Sequence, residues 1–190
     1  MNPVLTRNQA VAAAALLIAV QIAALYALGQ PFTAPGGVAL WEGDLASPRM
    51  SQQVSDWYSF SHIIHGFLFY WLLHLATPRL SLPARLLIAM GIEIGWEIVE
   101  NMPMVIQAYR QQALAAGYAG DSILNSVTDT VMMVLGFWLA LRLPVRAVIA
   151  LALAMELFVC VMIRDNLTLN VLNFVLPTQA VHDWQAERAR

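Results

Sequence analysis

Long apolar segments alternate with short polar connections along this 190-residue chain. A helix needs about 20 mostly apolar residues to cross a hydrocarbon core of about 30 Å. The segments that satisfy this requirement are Ala10–Leu28, Ser59–Ala76, Pro83–Gln107, Ser122–Leu141 and Val145–Ile163. The pattern therefore predicts an all-α, polytopic membrane helix bundle of about five transmembrane helices, formed by a single domain over residues 1–190.

The remaining segments do not have the length or composition of spans. The run Leu167–Leu176 is too short to cross a bilayer and indicates a short interfacial segment near the C-terminus. The connection 30–58 is rich in Gly, Pro and Ser, and either a lid or a spacer fits its composition. Ala27-Leu28-Gly29 resembles a signal-peptide cleavage site, but the long apolar region before it favours an uncleaved anchor.

The positions of the arginines predict the orientation of the bundle. The cytoplasmic connections of a membrane protein carry an excess of positive charge. With the N-terminus inside, the cytoplasmic segments contain no acidic residue and hold Arg7, Arg79, Arg85, Arg142 and Arg146. We therefore expect an N-in, C-out protein of the cell inner membrane, with the connection 30–58 facing outward.

Composition agrees with a lipid environment. Hydrophobic residues make up 59% of the chain and charged residues only 12%, whereas a soluble domain has about 25% charged residues. The mean hydropathy is +0.63. A net charge of −2 without a basic run excludes the usual signature of a nucleic-acid-binding protein, and membrane lipids are the expected partners.

Three glutamates occur inside the third predicted span. Glu93, Glu97 and Glu100 are spaced by four and three residues in GIEIGWEIVEN, so they share one face of a helix, with Asn101 beside them. Carboxylates inside a bilayer cannot face lipid and must point into the bundle or into a wet cavity. Pro103 follows closely and is expected to bend or end this helix.

Two other spans supply polar residues at similar depths. The second span contains SHIIHG and the fourth begins with GDSILNSVTD, which together provide His62, His65, Asp121, Asn125 and Asp129. At about 1.5 Å per residue, His65, Glu97 and Asp129 each lie on the order of 12–15 Å below the outer surface. Glu93 is the deepest of the carboxylates, and apolar residues follow it toward the cytoplasm. This arrangement favours an outward-facing pocket over a channel.

The residue types in this cluster predict three kinds of role. Acid–base catalysis by paired carboxylates and imidazoles is assigned to Glu97, Glu100, His65 and Asp129. A divalent metal, if one is the cofactor, takes its ligands from His62, His65, Glu97 and Asp129. Substrate binding nearer the surface is assigned to Asp121, Asn125, Asn101 and Arg164.

The leading hypothesis is an enzyme, a hydrolase or transferase, that acts on a lipid or amphiphilic envelope substrate. One alternative is a small transporter or ion-binding protein in which Glu93 carries a proton or cation. The other is a non-catalytic assembly or scaffold protein, in which the polar residues join helices.

Three segments of the chain also carry a resemblance. The succession SHIIHGFLFYW, GIEIGWEIVENMPMVIQAYR and GDSILNSVTDTVMMVLGFWLA resembles an uncharacterised family of small proteobacterial inner-membrane proteins, which implies a membrane location. An outer-end His, a mid-helix Glu and Asp-x3-Asn followed by Gly136 are more distantly similar to VanZ-like membrane proteins. That second resemblance implies a role connected with the cell envelope.

Overall fold

The computed structural model describes residues 5–187, and every regular element in that part of the chain is an α-helix. Its eight helices are α1 (Arg7–Ala27), α2 (Ser59–Ala76), α3 (Leu82–Glu100), α4 (Pro103–Arg110), α5 (Ile123–Arg142), α6 (Val145–Ile163), α7 (Leu167–Val175) and α8 (Gln179–Ala186). The prediction of an all-α fold is therefore confirmed. Three of them, α1, α5 and α6, are long and apolar enough to cross a membrane.

All five predicted spans coincide with helices, but the end of the third was predicted wrongly. The helix α3 ends at Glu100, and a separate helix α4 begins at Pro103. Proline has no backbone N–H to continue the hydrogen-bond ladder, and it is well suited to the first turn of a new helix. The chain therefore breaks at Asn101 and Met102, immediately beside the last of the three glutamates.

The helices divide the molecule into two ends. The connections 77–81 and 143–144 are short, which makes α2 and α3, and likewise α5 and α6, antiparallel neighbours. The predicted cytoplasmic arginines all lie at one end, which we call the arginine end. The opposite end carries the connection 28–58, α4, the segment 111–122, α7 and α8, which together we call the cap.

Two glycines allow the backbones of α2 and α5 to touch. A Cβ atom added at Gly66 would overlap the carbonyl oxygen of Met133, and one added at Gly136 would overlap the carbonyl oxygen of Ile63. Small residues at such positions are the usual means by which membrane helices approach closely. This contact fixes α2, which carries the histidines, against α5, which carries Asp129.

The connection 28–58 is bonded to the start of α5. The backbone N–H of Ile123 donates to Pro31 O at 2.8 Å, that of Leu124 to Phe32 O at 3.1 Å, and that of Ser122 to Ser51 O at 3.0 Å. The first N–H groups of a helix have no acceptor within the helix. The connection supplies these acceptors, so it is a fixed cover over the bundle rather than a loose spacer.

A buried aspartate joins α8 of the cap to the residue that precedes α2. The Tyr58 hydroxyl donates to Asp165 Oδ2 at 3.0 Å, and Gln185 Nε2 donates to Asp165 Oδ1 at 3.3 Å. Burial raises the pKa of Asp165 to about 6, although both hydrogen bonds lower it. Asp165 follows the end of α6 and lies outside the apolar helices.

We expect Gly66→Ala to destabilise the protein by about 1–3 kcal/mol or more, because the new methyl group overlaps the backbone of α5. The matched control is Gly91→Ala on α3, where an added Cβ has no atom within 4 Å. Thermal unfolding in detergent, followed by size-exclusion chromatography, measures the effect. Equal unfolding midpoints for the two variants would show that the α2–α5 contact is not tight.

Asp165 predicts a dependence of stability on pH. Its ordinary pKa is 3.8, so between about pH 4 and about pH 6 the native protein retains a proton that the unfolded chain releases. This contribution to stability is present at low pH and is lost as the pH rises through about 6. As the pH rises through this range, the unfolding midpoint of the wild type should therefore fall relative to that of Asp165→Asn. The exposed carboxylate variant Asp183→Asn should show no such shift.

Candidate functional site

One buried carboxylate holds both histidines of α2. His62 Nδ1 donates to Glu93 Oε1 at 2.5 Å, and His65 Nδ1 donates to Glu93 Oε2 at 3.1 Å. Glu93 has no exposed surface and His62 is 6% exposed. Because an ionised carboxylate accepts but does not donate, Nδ1 of each imidazole carries the proton. The Nε2 atom of each ring is then the one left for other chemistry.

Glu97 lies behind His62 and belongs to a network that crosses the bundle. Its Oε2 accepts a hydrogen bond from Ser126 Oγ at 2.6 Å, and Gln21 Nε2 on α1 donates to the same Ser126 Oγ at 2.8 Å. Gln21 Oε1 accepts from Thr130 Oγ1 at 3.1 Å. The second oxygen, Glu97 Oε1, lies 3.4 Å from His62 Nδ1 and has no hydrogen-bond donor among residues 5–187.

Asp129 closes the cluster from α5. Its Oδ2 lies 3.8 Å from His62 Nε2, and its Oδ1 accepts a hydrogen bond from Ser59 Oγ at 3.1 Å. The predicted matching depth of His65, Glu97 and Asp129 agrees with this arrangement, since all three side chains surround His62 or its Glu93 partner.

Asn101 and Asp121 have a structural role that the sequence analysis did not separate from substrate binding. Asn101 Nδ2 donates to Asp121 Oδ2 at 2.7 Å, and Asn101 Oδ1 accepts from the Asp121 backbone N–H at 2.7 Å. The Tyr118 hydroxyl donates to Asp121 Oδ1 at 3.0 Å. Gly120 adopts a φ of +92° here, and a Cβ would lie 2.8 Å from Asn101 Oδ1, so this turn requires glycine.

Asp121 also lines the cavity described below, but both of its oxygens are already hydrogen-bonded. Burial raises the pKa of Asp121 to about 6, while the bonds from Asn101 and Tyr118 lower it. Asn125 likewise lines the cavity while its Nδ2 donates to Gln53 O at 3.0 Å.

A cavity of about 1230 Å³ lies between the bundle and the cap. Its polar wall is formed by Asp56, Tyr58, His62, His65, Glu93, Glu100, Asp121, Asn125 and Asp129. Its apolar wall is formed by Phe69, Ile92, Trp96, Val105, Leu114, Val171, Phe174 and Val175. No arginine is among the lining residues in the described part of the chain. The cavity therefore combines an acidic surface with an extended hydrophobic one.

Apolar side chains fill the bundle on the arginine side of this cavity. Leu73, Met90, Met133 and Phe137 are buried against one another, one or more turns beyond His65, Glu93 and Asp129 along their helices. A polar path from Glu93 to the arginine end would have to pass this core. Within residues 5–187 the site is thus a pocket open toward the cap.

Three predicted site residues, Glu97, Asn101 and Arg164, do not lie in the cavity wall. Glu97 is 1% exposed and is separated from the cavity by His62, so direct contact with a substrate is not supported. Arg164 is turned away: its guanidinium donates to Trp184 O at 2.6 Å and to Glu187 at 3.1 Å. The left-handed backbone of Arg164, with φ 56°, ends α6 and directs this side chain to α8.

The structure also shows site residues to which the leading hypothesis of the sequence analysis gave no role. Glu93 is the centre of the histidine pair, and Gln21 supports Glu97 from α1. A polar Gln21 in an otherwise apolar span was a usable signal, because such residues face the bundle interior. Tyr118 and Tyr58 gave no comparable signal, since tyrosines near a membrane surface are common.

Within residues 5–187, three overlapping groups of side chains have the spacing of a metal site. Each group offers ligand atoms within 4.8 Å of one another. The groups are His62, His65 and Glu93; His62, Glu97 and Asp129; and Glu97, Glu100 and Asp121. Of the predicted metal ligands, His62, Glu97 and Asp129 form one group. His65 belongs to a different group, with His62 and Glu93.

Comparison with known proteins identifies relatives over most of the chain. The family profile "Protein of unknown function (DUF2585)" matches residues 25–187. The UPF0314 protein of Sphingopyxis alaskensis is 53% identical over 174 residues, which cover 91% of this chain and 93% of that protein. UPF0314 proteins of Rhizobium etli (51% over 183 residues, covering 94% and 93%) and Brucella anthropi (45% over 171 residues, covering 90% and 87%) are also similar.

No solved structure matches the chain. The matches give no support to the more distant resemblance to VanZ-like proteins, but they confirm the resemblance to an uncharacterised proteobacterial family. The chain belongs to this DUF2585 (UPF0314) family of small proteobacterial proteins, and three helices of its described part are long and apolar enough to cross a membrane.

Proposed function

We propose that this protein is an inner-membrane enzyme that hydrolyses, or transfers a group on, a lipid or amphiphilic envelope substrate in its outward-facing cavity. One observation carries the proposal: a single cavity of about 1230 Å³ has titratable side chains on one wall and apolar side chains on the other. This volume exceeds the roughly 300–1,000 Å³ of ordinary small-ligand pockets and suits a long amphiphile.

The two walls give the substrate an orientation. An acyl or isoprenoid chain lies along Phe69, Ile92 and Trp96, and the polar part of the molecule contacts His65 and Glu100. Because the lining residues in the described part of the chain include several carboxylates and no arginine, an uncharged or cationic head group fits better than an anionic one. The predicted substrate-binding role of Arg164 is not part of this proposal, because Arg164 does not line the cavity.

His65 is the candidate general base. Glu93 holds its Nδ1–H at 3.1 Å, which fixes the ring and leaves Nε2 as the proton acceptor. Nε2 takes a proton from water or a hydroxyl group, and the resulting oxygen forms the new bond to the ester or phosphoester centre. The bond to the leaving oxygen then breaks, and a protonated Glu100 carboxyl gives its proton to that oxygen. Transfer of the proton held by His65 to the Glu100 carboxylate restores both side chains.

The two alternatives make different demands on the same residues. A transporter needs a polar route past Glu93, where the bundle instead contains Leu73, Met90 and Met133. A scaffold role requires only hydrogen bonds such as those of the Asn101–Asp121 pair. It does not explain a cavity with His65 and Glu100 in its wall. We therefore place catalysis first.

The proposal predicts that the native bacterium lacking this protein accumulates an envelope amphiphile, which mass spectrometry of extracted lipids detects. Wild-type protein should restore the lipid profile, and His65→Gln should fail to, since loss of a general base lowers turnover by about 10²-fold or more. His74→Gln is the matched control, because His74 is on the same helix and does not line the cavity.

Protein abundance must be measured beside the lipids. A normal amount of His65→Gln protein with an unrestored profile supports catalysis. Full restoration by His65→Gln, or lipid profiles that follow abundance alone across all variants, would contradict it.

A further inference from the structure

The side chains around His62 include buried carboxylates for which residues 5–187 supply no fixed positive charge. Glu93, Glu97 and Asp129 are 0%, 1% and 4% exposed. The chain has no lysine, and within residues 5–187 the one arginine–carboxylate ion pair joins Arg164 to Glu187. Buried carboxylates are costly unless they are paired or coordinate a metal. Among residues 5–187, no arginine side chain therefore balances the charge of this cluster.

One atom of the cluster is a carboxylate oxygen without a donor. Glu97 Oε1 is buried and accepts no hydrogen bond from residues 5–187, whereas Oε2 of the same group accepts one from Ser126. The nearby His62 Nδ1, at 3.4 Å, is already directed to Glu93 at 2.5 Å. Buried polar atoms rarely remain unsatisfied, and such an atom indicates a missing ion or water.

The neighbouring imidazole has the orientation of a metal ligand. Glu93 accepts the Nδ1 proton of His62, which leaves the lone pair on Nε2, and Asp129 Oδ2 lies 3.8 Å from that nitrogen. A histidine that binds a metal through one ring nitrogen usually donates the other N–H to a carboxylate or carbonyl. Glu93 is the partner of that kind for His62.

We propose that His62, Glu97 and Asp129 bind one divalent transition-metal cation, with Glu93 as the positioning residue for His62. Their ligand atoms lie within 4.8 Å of one another, close to the span of a coordination sphere with bonds of about 2.0–2.2 Å. One imidazole and two carboxylates suit Zn²⁺, Mn²⁺ or Fe²⁺ rather than the all-oxygen sites of Ca²⁺ and Mg²⁺.

The other two groups with metal-like spacing are less suitable. In the first, Glu93 is already occupied by the N–H groups of His62 and His65. In the last, which has no nitrogen ligand, both oxygens of Asp121 accept hydrogen bonds. The central group alone combines a free imidazole nitrogen with a carboxylate oxygen that lacks a donor.

This inference deepens the proposed function, because His62 and Asp129 line the cavity and a bound cation there has open positions that face the substrate. A metal ion of this kind lowers the pKa of bound water or polarises an ester or phosphoester oxygen. It also neutralises part of the acidic wall. Cation binding itself requires no substrate and can be tested separately.

The test is a titration of the purified, chelator-treated full-length protein in detergent with Mn²⁺ and, in parallel, with Zn²⁺. Electron paramagnetic resonance measures free Mn²⁺, and equilibrium dialysis with elemental analysis measures Zn²⁺. We expect one saturable site per chain for at least one of these ions. Absence of a saturable site for both ions in the wild-type protein would overturn the proposal, whatever the variants do.

Variants identify the ligands. Glu97→Gln and Asp129→Asn should each raise the dissociation constant by about 100-fold or more, and Glu93→Gln by about 10–100-fold, as for other positioning residues of metal sites. The control is Glu156→Gln, a carboxylate that accepts hydrogen bonds from Leu167 and Thr168 at the start of α7. Its affinity should remain within about 2-fold of wild type, a change of under 0.5 kcal/mol.

Size-exclusion elution and unfolding midpoints establish that each variant is folded. Equal weakening by Glu156→Gln, or unchanged affinity in folded Glu97→Gln and Asp129→Asn, would overturn the assignment. A metal-binding protein without any lipid activity would contradict only the proposed function. Undiminished lipid turnover by metal-free protein would contradict only a role of the bound metal in the proposed reaction.

Discussion

The arrangement of this bundle depends on the need of polar groups inside an apolar environment to satisfy one another. Four helices meet this need jointly: Gln21 from α1, His62 from α2, Glu97 from α3 and Ser126 from α5 are linked through neighbouring polar atoms. Interhelical hydrogen bonds in membranes average only about 0.6 kcal/mol each. Their main effect is therefore to fix the rotation and depth of each helix, because any other alignment leaves a polar group facing lipid.

Close backbone contact completes this alignment. Gly66 lies one turn from His62 on α2, and its contact with the backbone near Met133 brings α2 onto the segment of α5 that follows Asp129. A larger residue at Gly66 or Gly136 would separate the two helices and with them the imidazole and the aspartate. The position of the acidic wall is thus set by two residues that carry no functional group.

Sequence periodicity predicted the helices and the shared face of Glu93, Glu97 and Glu100 because both follow from helix geometry alone. It could not separate Glu93 and Glu100, which line the cavity, from Glu97, which lies behind His62, since that difference depends on how α2 and α3 rotate together. The role of Arg164 was missed because a left-handed residue at the end of α6 reverses the expected direction of its side chain.

The bonding of the connection 28–58 to α5 has a consequence for how the cavity changes in evolution. Pro31 and Ser51 are fixed to the first residues of α5, and between these anchors the chain makes an excursion whose residues Leu45, Pro48 and Met50 form part of the cavity wall. Insertions or substitutions inside the excursion would reshape that wall, while the helices that carry His62, His65 and Glu93 keep their places. Such a division would allow the cavity wall to vary among members of one family while the histidines and carboxylates of the site stay in place.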